Sequence, residues 1–245
     1  MTPEAVTRYA RHLVLKEIGG PGQQALLGAR VAIIGAGGLG GPAGLYLAAA
    51  GIGHITLIDD DAVDLSNLQR QIQFQTQDIG QPKTRAMAQN LSRINPEITL
   101  STHRLRLTDK NAQELLAGHD IILDGVDDFA SRFALNEAAL ALGIPLVSGA
   151  LGRFNGQVSC FKNDGHSACY RCLVPEIPPG AQTCSEVGIV GALAGIIGSV
   201  MALETVKIIT GAGEPLFGKL WLYDGLNAQA RTIALPRDPA CPACT

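Results

Sequence analysis

Four of the six cysteines fall into two Cys-x-x-Cys pairs, and this spacing is the most specific chemical signal in the chain. Cys169 pairs with Cys172, and Cys241 pairs with Cys244. Four thiolates in two such pairs form the ligand set of a closed tetrahedral zinc site, so we expect a structural zinc that ties the end of the sequence to the segment near Cys169. The alternative is a redox role, but neither pair opens a thioredoxin-like βαβ unit.

A glycine-rich stretch follows the apolar run 31–34, and its glycines are Gly35, Gly37, Gly38 and Gly40. The pattern G-x-G-x-x-G between a strand and a helix lets the backbone approach a phosphate, while the helix N-terminus stabilises an anion. A second strand ends at Asp59, where a carboxylate can accept hydrogen bonds from ribose hydroxyls. The glycine pattern alone favours NAD, and it is also compatible with a tight turn that binds nothing.

Cations further along the chain favour ATP over NAD. Asn67 and Arg70 lie three residues apart on one face of a short predicted helix, for which Ser66 is the predicted cap. Lys83 follows Pro82 in the first turn of another predicted helix, where a cation opposes the helix dipole. Helix stability therefore does not explain this lysine, whereas a bound polyphosphate would. A solvated surface lysine is the alternative.

Two acidic residues follow a predicted buried strand at 121–123. Asp127 and Asp128 therefore lie on the edge where open α/β sheets bind ligands. Either residue can cap the next helix, and the other can hold magnesium, which prefers carboxylate oxygen.

The two remaining cysteines differ in their surroundings. Cys184 lies in the Pro/Gly-rich stretch 175–188, which we expect to be an exposed and mobile loop. An exposed thiol there is a candidate nucleophile, and an inert thiol is equally compatible with the spacing. Cys160 alternates in phase with Val158, so we expect it in the core.

The elements that must position these residues alternate along the first part of the chain. Predicted strands and helices succeed one another at 31–34, 41–50, 54–58, 82–95, 98–102, 109–117, 121–123, 129–142 and 145–148. This order predicts an α/β fold with a Rossmann-like, doubly wound and mostly parallel sheet. Later segments at 156–161, 220–223 and 231–235 extend the sheet with antiparallel strands. Before the first strand we expect a helix capped by Thr2, a turn at 19–22 and a short helix at 23–27.

Composition excludes several classes of protein. The net charge of −3 over 245 residues argues against a nucleic-acid partner, and the absence of a signal-peptide pattern indicates a cytoplasmic protein. The uncharged run 187–203 is shorter than the roughly 20 residues of a membrane span, so we expect a buried helix at the core or a subunit interface. Metalloprotease, serine hydrolase and P-loop motifs are missing from the sequence.

Together these features resemble the MoeB/ThiF/HesA family of ubiquitin-activating-enzyme-like adenylyltransferases over essentially the full length. The stretches that carry the resemblance are the glycine loop, Asp59, Ser66-Asn67-Leu68-Gln69-Arg70-Gln71, Gln81-Pro82-Lys83, Asp127, the four paired cysteines and Cys184. The resemblance implies that MgATP adenylates the C-terminal Gly-Gly carboxylate of a small ubiquitin-like sulfur carrier and that pyrophosphate is released. It also implies one adenylating domain over 1–245, with N-terminal helices at 1–29, a nucleotide-binding half at 30–150 and a carrier-binding and zinc half at 151–245.

The resemblance also implies roles for individual residues. Asp59 would bind ribose, Asn67, Arg70 and Lys83 would handle the phosphates, and Asp127 would serve magnesium. Ser66, Leu68 and Gln69 would also belong to the nucleotide-binding residues. Arg11 closes a motif whose last arginine reaches the ATP of the neighbouring subunit, which implies a homodimer. Cys184 matches a cysteine that takes part in sulfur transfer in some members. The residue after Asp127 is usually Asn in this family, so Asp128 could alter metal affinity or simply cap the helix.

Among the possible carriers, we expect the small subunit of molybdopterin synthase, in molybdenum cofactor biosynthesis. The sulfur carrier of the thiazole pathway is the alternative, because the motifs are shared. Two further alternatives are an NAD-dependent oxidoreductase and a non-catalytic scaffold for ubiquitin-like tails. We also expect no fused rhodanese domain, since Thr245 alone follows the last cysteine.

Overall fold

A single twisted sheet organises the computed structural model, which describes residues 1–178 and 188–244. The strand order within these residues is β3-β2-β1-β4-β5-β6-β7-β8. The strands are β1 Arg30–Ile34, β2 His54–Ile58, β3 Thr99–His103, β4 Ile121–Asp124, β5 Leu146–Gly152, β6 Asn155–Phe161, β7 Lys219–Asp224 and β8 Gln229–Ala234. Strands β1 to β5 pair in parallel, and β5 to β8 pair antiparallel, which confirms the mixed α/β sheet.

Helices cover both faces of the parallel part of the sheet. The helices of the described residues are α1 Pro3–Arg8, α2 Ala10–Leu13, α3 Gly19–Gly28, α4 Gly40–Ala50, α5 Lys83–Ile94, α6 Ala112–Leu116, α7 Phe129–Leu142, α8 Tyr170–Leu173 and α9 Gly191–Thr210. Val31 and Ile33 of β1 belong to the core layer shared with α3, α4, α5 and α9. Ala32 and Ile34 belong to the layer shared with α6, α7 and Tyr170. This alternation is the period of two expected of a strand buried on both sides.

The N-terminal part corrects one prediction and confirms another. Thr2 caps α1, as predicted, by accepting a hydrogen bond from the Ala5 amide at 3.2 Å. The predicted turn at 19–22 is wrong, because these residues form the first turn of α3. Gly22 is buried there, and a Cβ on it would lie 3.0 Å from Ile18 Cγ2 and 3.4 Å from Thr210 Cγ2. Tertiary packing against α9 therefore overrides the low helix propensity of glycine.

The apolar helix is longer than its uncharged sequence run. Within the described residues α9 begins at Gly191, and it continues through Glu204 to Thr210. Glu204 is buried inside the helix, where it accepts hydrogen bonds from the Leu216 amide at 2.8 Å and Lys207 Nζ at 2.6 Å. A charge with two such partners can be buried. Glu204 therefore does not end the helix, although the uncharged run 187–203 predicts an end there.

The length and composition of α9 would suffice for a membrane span, but its packing is that of a core helix. Leu193, Ile197 and Met201 are buried in the main hydrophobic layer. Gly198 lies so close to α4 that a Cβ on it would be 2.7 Å from the Leu39 carbonyl oxygen. The helix is therefore part of the interior that supports the glycine loop, as predicted for a core helix.

One buried histidine makes stability depend on pH. His119 Nε2 lies 2.8 Å from Thr56 Oγ1, and Nδ1 lies 3.0 Å from the Leu116 carbonyl oxygen. Burial lowers the pKa of His119 below its ordinary value of 6.5, against the opposing effect of that carbonyl. The folded protein therefore favours the neutral ring, whereas the unfolded chain takes up a proton near pH 6.5. Its contribution to stability is complete above that pH and is lost as the pH falls below it.

We expect the melting temperature to fall between about pH 7.5 and about pH 5.5, and His119→Gln to remove part of that slope. The measurement is a series of thermal melts at constant ionic strength. The matched control is His166→Gln, in an exposed loop. An unchanged slope in His119→Gln would assign the pH dependence to other groups.

Candidate nucleotide site and cysteine cluster

A cavity of about 410 Å³ opens at the carboxyl ends of β1, β2 and β4. Predicted site residues that line it are Gly35, Gly37, Gly38, Asp59, Arg70, Lys83, Asp127 and Asp128. Further polar lining residues are Asp60, Asp61, Gln71, Arg106, Ser131, Arg132, Gln157 and Tyr170. The cavity has the size of a small-molecule site and lies where open α/β sheets bind nucleotides.

The glycine loop contains two kinds of glycine. Gly35 has φ +87°, and a Cβ on it would lie 2.7 Å from the Gly125 carbonyl oxygen. A Cβ on Gly40 would lie 2.0 Å from the Gly35 carbonyl oxygen, so the backbone geometry itself requires these two glycines. Gly37 and Gly38 have room for a Cβ, with nearest protein atoms at 3.6 and 3.5 Å. Packing does not require glycine at these two cavity-lining positions, whereas the close approach of a phosphate would.

Asp59 connects the end of β2 to the glycine loop. Its Oδ2 accepts a hydrogen bond from the Ala36 amide at 2.8 Å, and its Oδ1 accepts one from the Asp61 amide at 2.8 Å. Burial raises the pKa of Asp59, although Lys83 and the two amides oppose the shift. The carboxylate is thus fixed at the cavity wall by the backbone of both loops, and it retains acceptor capacity.

Lys83 is buried at the first position of α5, as the sequence predicts for the helix start. Its Nζ lies 2.6 Å from Asp61 Oδ2, and its side chain is only 8% exposed. The solvated surface lysine considered above is therefore excluded. Because the helix dipole disfavours a cation here, the ion pair with Asp61 and the nearby Asp59 compensate this charge, and a bound anion could compensate it further.

The turn that carries Arg70 differs from its prediction. Asp64, not Ser66, caps the 3₁₀ turn Leu65–Asn67, because the Asp64 side chain accepts a hydrogen bond from the Ser66 amide at 2.8 Å. Asn67 Oδ1 accepts the Asp64 amide in return, at 3.2 Å. Arg70 donates to the Ser66 carbonyl oxygen at 3.0 Å and lines the cavity. Arg11, Gly40, Ser66, Asn67, Leu68 and Gln69 are absent from the described lining of the cavity.

The first residue of α9, Gly191, packs closely against the turn that carries Arg70. A Cβ on Gly191 would lie 2.1 Å from the Gln69 carbonyl oxygen and 3.2 Å from Arg70 Cα. Only the absence of a side chain at this position permits the approach.

The two neighbouring aspartates have different positions. Asp128 caps α7, accepting the Ser131 amide at 2.8 Å and the Ser131 hydroxyl at 2.7 Å. Its Oδ2 also lies 3.2 Å from Arg106. Asp127 is exposed at the cavity, so of the two it is the carboxylate whose position suits a magnesium ligand.

Sequence reasoning missed a buried ion pair below the cavity. Arg132 on α7 lies 2.8 Å from Asp124 Oδ2, and it also donates to the carbonyl oxygens of Val126 and Gly149 at 2.7 and 2.8 Å. It therefore fixes the loop that presents Asp127. The available signal was an arginine on the buried face of α7, between Ser131 and Leu135, because charges at such positions are usually paired.

The four paired cysteines converge into one cluster. Their sulfur atoms all lie within 4.8 Å of one another, with Cys169 to Cys241 and Cys172 to Cys244 each at 3.6 Å. Four sulfurs bound to zinc at about 2.3 Å in a tetrahedron lie about 3.8 Å apart, so the donor set and spacing fit zinc. The remaining predicted thiol, Cys184, lies outside the described residues, and Cys160 is buried as expected.

Fold and site together define a mixed α/β protein with a cavity at the carboxyl ends of its parallel strands and a separate four-cysteine cluster. A model of the ThiF family matches residues 9–243. The chain belongs to this family, and it is an adenylyltransferase.

Two relatives whose names give different substrates are about equally similar to this chain. The sulfur carrier protein ThiS adenylyltransferase of Escherichia coli is 43% identical, with 97% of this chain and 94% of the relative covered. The molybdopterin-synthase adenylyltransferase of Escherichia coli is 41% identical, with 100% and 98% covered. Among solved structures, Escherichia coli MccB with AMPCPP and MccA shares the fold at a TM-score of 0.85 and 23% identity, covering 100% of this chain and 77% of that one.

Proposed function

We propose that the protein adenylates the C-terminal Gly-Gly carboxylate of a small ubiquitin-like sulfur carrier. Among carriers, we propose the small subunit of molybdopterin synthase, and the thiazole-pathway carrier is the second candidate. Both activities are named among similar relatives. Membership of an adenylyltransferase family speaks against the oxidoreductase and scaffold alternatives.

The reaction joins two anions that repel each other, and the cavity contains cations that can reduce this repulsion. A carboxylate oxygen of the carrier attacks the α-phosphorus of ATP, the bond to the β-phosphate oxygen breaks, and pyrophosphate leaves with the electron pair. No general base is needed, because a C-terminal carboxylate is ionised at pH 7. Arg70 and Lys83 would reduce the repulsion, the glycine loop would hold the phosphates, and Asp59 would orient the ribose. Magnesium, held by Asp127, would supply further positive charge.

The observation that carries the proposal is a second hollow that adjoins the nucleotide cavity. This hollow, of about 630 Å³, lies over β5 to β8, on the half assigned above to carrier binding. Ala150, Leu151 and Gln157 line both hollows, so the two hollows adjoin at these residues. An extended, side-chain-free Gly-Gly tail fits such a connection, since the carrier's body can rest on the antiparallel strands while its carboxylate reaches the α-phosphate.

Carrier-dependent exchange of labelled pyrophosphate into ATP tests this function. Purified carriers are supplied one at a time, and each is matched by a variant lacking the terminal Gly-Gly. We expect exchange only with an intact tail, and fastest with the molybdopterin synthase subunit. Faster exchange with the thiazole-pathway carrier would select the second candidate, and no exchange with any intact carrier would contradict the proposal.

We propose that the enzyme is a homodimer in which Arg11 completes the neighbouring site. Arg11 is exposed on α2 and does not line the described cavity of its own chain. On the outward face of α9, Ile196 and Leu203 are 38% and 57% exposed, and a second copy could cover them.

Mixing inactive Arg11→Ala with inactive Lys83→Ala protein under subunit exchange should restore about a quarter of wild-type activity. Half of the dimers are then mixed, and each owns one site with both cations. The measurement is pyrophosphate exchange before and after mixing, with each variant alone as the control. A monomer in sedimentation, or no rescue despite proven exchange, would contradict the dimer.

Two further roles belong to the same proposal. Cys184 handles sulfur after adenylation, so Cys184→Ala should leave pyrophosphate exchange intact and lower only a later sulfur-transfer assay. The use of ATP and of four reduced thiols favours the cytoplasm as the site of action.

A further inference from the structure

The wall of the nucleotide cavity carries an ion pair that the proposed chemistry does not use. Arg106 follows β3, and its guanidinium lies 3.2 Å from Asp128 Oδ2 at the start of α7. Both residues line the cavity, with side chains 61% and 29% exposed. The pair joins two segments 22 residues apart in the sequence at the wall of the site.

The position of Asp128 is unfavourable for a polyanion. Gly125, three residues before it, approaches the glycine loop so closely that a Cβ there would lie 3.0 Å from the Gly40 amide nitrogen. Asp128 itself lines the same cavity as Gly35, Gly37 and Gly38. A polyanion held by the glycine loop would therefore share the cavity with this carboxylate, and like charges repel.

The cavity is lined by more carboxylates than cations, so each uncompensated carboxylate adds to the repulsion of a bound polyanion. Five aspartates line it in the described structure: Asp59, Asp60, Asp61, Asp127 and Asp128. Four cations line it: Arg70, Lys83, Arg106 and Arg132. Lys83 is paired with Asp61, and Arg132 is paired with the buried Asp124. Arg106 is therefore the cation that the geometry assigns to Asp128.

The helix cap does not require this negative charge. A cap needs only an oxygen that accepts the Ser131 amide, and asparagine caps helices as well as aspartate does. Asp128 nevertheless carries a carboxylate that forms the ion pair with Arg106, at 3.2 Å. Charge and cap are therefore separable by the substitution Asp128→Asn.

We propose that Arg106 is a positioning residue of the nucleotide site, which neutralises Asp128 and so allows that carboxylate to lie beside the phosphates of ATP. This inference rests on the proposed function only in taking ATP as the occupant of the cavity. Arg106 acts through Asp128 and needs no contact of its own with the nucleotide. The pair also tethers the segment after β3 to α7.

The test is a double-mutant cycle on nucleotide binding, measured by calorimetry with ATP and no carrier. Arg106→Ala should weaken ATP binding about 10-fold, because it leaves one carboxylate uncompensated near the phosphates. Asp128→Asn alone should bind ATP at least as well as the wild type. The double variant Arg106→Ala/Asp128→Asn should return to within about threefold of the wild type. Arg104→Ala, exposed on the same segment and outside the described lining of the cavity, is the control for lost positive charge.

The outcomes separate this inference from the proposed function. A double variant as weak as Arg106→Ala would overturn the inference, since Arg106 would then act by its own contact. Equal binding by Arg106→Ala and the wild type would also overturn it. If Arg106→Ala fails to fold in a thermal melt, Arg106→Gln keeps the stem and completes the same cycle. A rescued cycle without carrier-dependent pyrophosphate exchange would support the inference and contradict the proposed function.

Discussion

Replacing Lys83 with methionine should lower pyrophosphate exchange by about 10²-fold or more, the scale of removing one preorganised charge from an active site. The reason is its placement. Lys83 Nζ is buried beside the cavity, at a helix start whose dipole disfavours it, and Asp61 at 2.6 Å is its ion-pair partner. Such a cation is retained for an anionic ligand more readily than for stability. Methionine keeps the apolar stem and its packing, so the loss should reflect charge.

Arg70→Ala should cause a loss of similar size, because Arg70 is the cavity cation held by the neighbouring turn. Arg85→Ala, exposed on the same helix as Lys83, is the matched control and should stay near wild-type exchange. Thermal melts should show all three variants folded. Near-normal exchange by the Lys83 or the Arg70 variant would contradict the assignment of that cation to the phosphates.

The second large effect should follow from opening the cysteine cluster. Cys241→Ser should remove bound zinc and lower the melting temperature by about 10 °C, the scale of losing a few kcal/mol in a chain of this size. Cys241 is fully buried, and its sulfur lies 3.6 Å from that of Cys169. Its loss should free the terminal segment, so limited proteolysis near residue 240 should become faster.

The matched control is Ala240→Ser, which introduces the same side chain at the exposed neighbouring position. It should keep one zinc per chain and the wild-type melting temperature. A metal assay that finds no zinc in protein purified without chelators would refute the zinc site outright.

Local sequence signals predicted the parallel part of the fold well. The helix Phe129–Leu142 has the predicted bounds, because Asp128 caps its start and Gly143 adopts a left-handed conformation after its end. The paired cysteines likewise revealed their cluster through spacing alone. These features depend on residues that are close in sequence or on a fixed ligand geometry.

Long-range packing explains the errors. The first turn of α3 and the continuation of α9 past Glu204 depend on partners from distant segments, namely Thr210 for Gly22 and Leu216 for Glu204. The pairing of Arg106 with Asp128 has the same character, since their positions in the sequence give no indication that β3 and α7 present them to each other. No local periodicity contains that information.

Gly191 packs closely against Gln69 and Arg70, and this contact has a practical consequence for mutational scanning. Any substitution at Gly191 must push the Gln69 carbonyl and thus displace Arg70, which lines the cavity. In a deep mutational scan, this residue should therefore score like a member of the catalytic apparatus, although a hydrogen atom is its whole side chain. A mutational scan of this enzyme will therefore identify glycines whose missing side chain allows close packing at the site, as well as residues that act on the substrate.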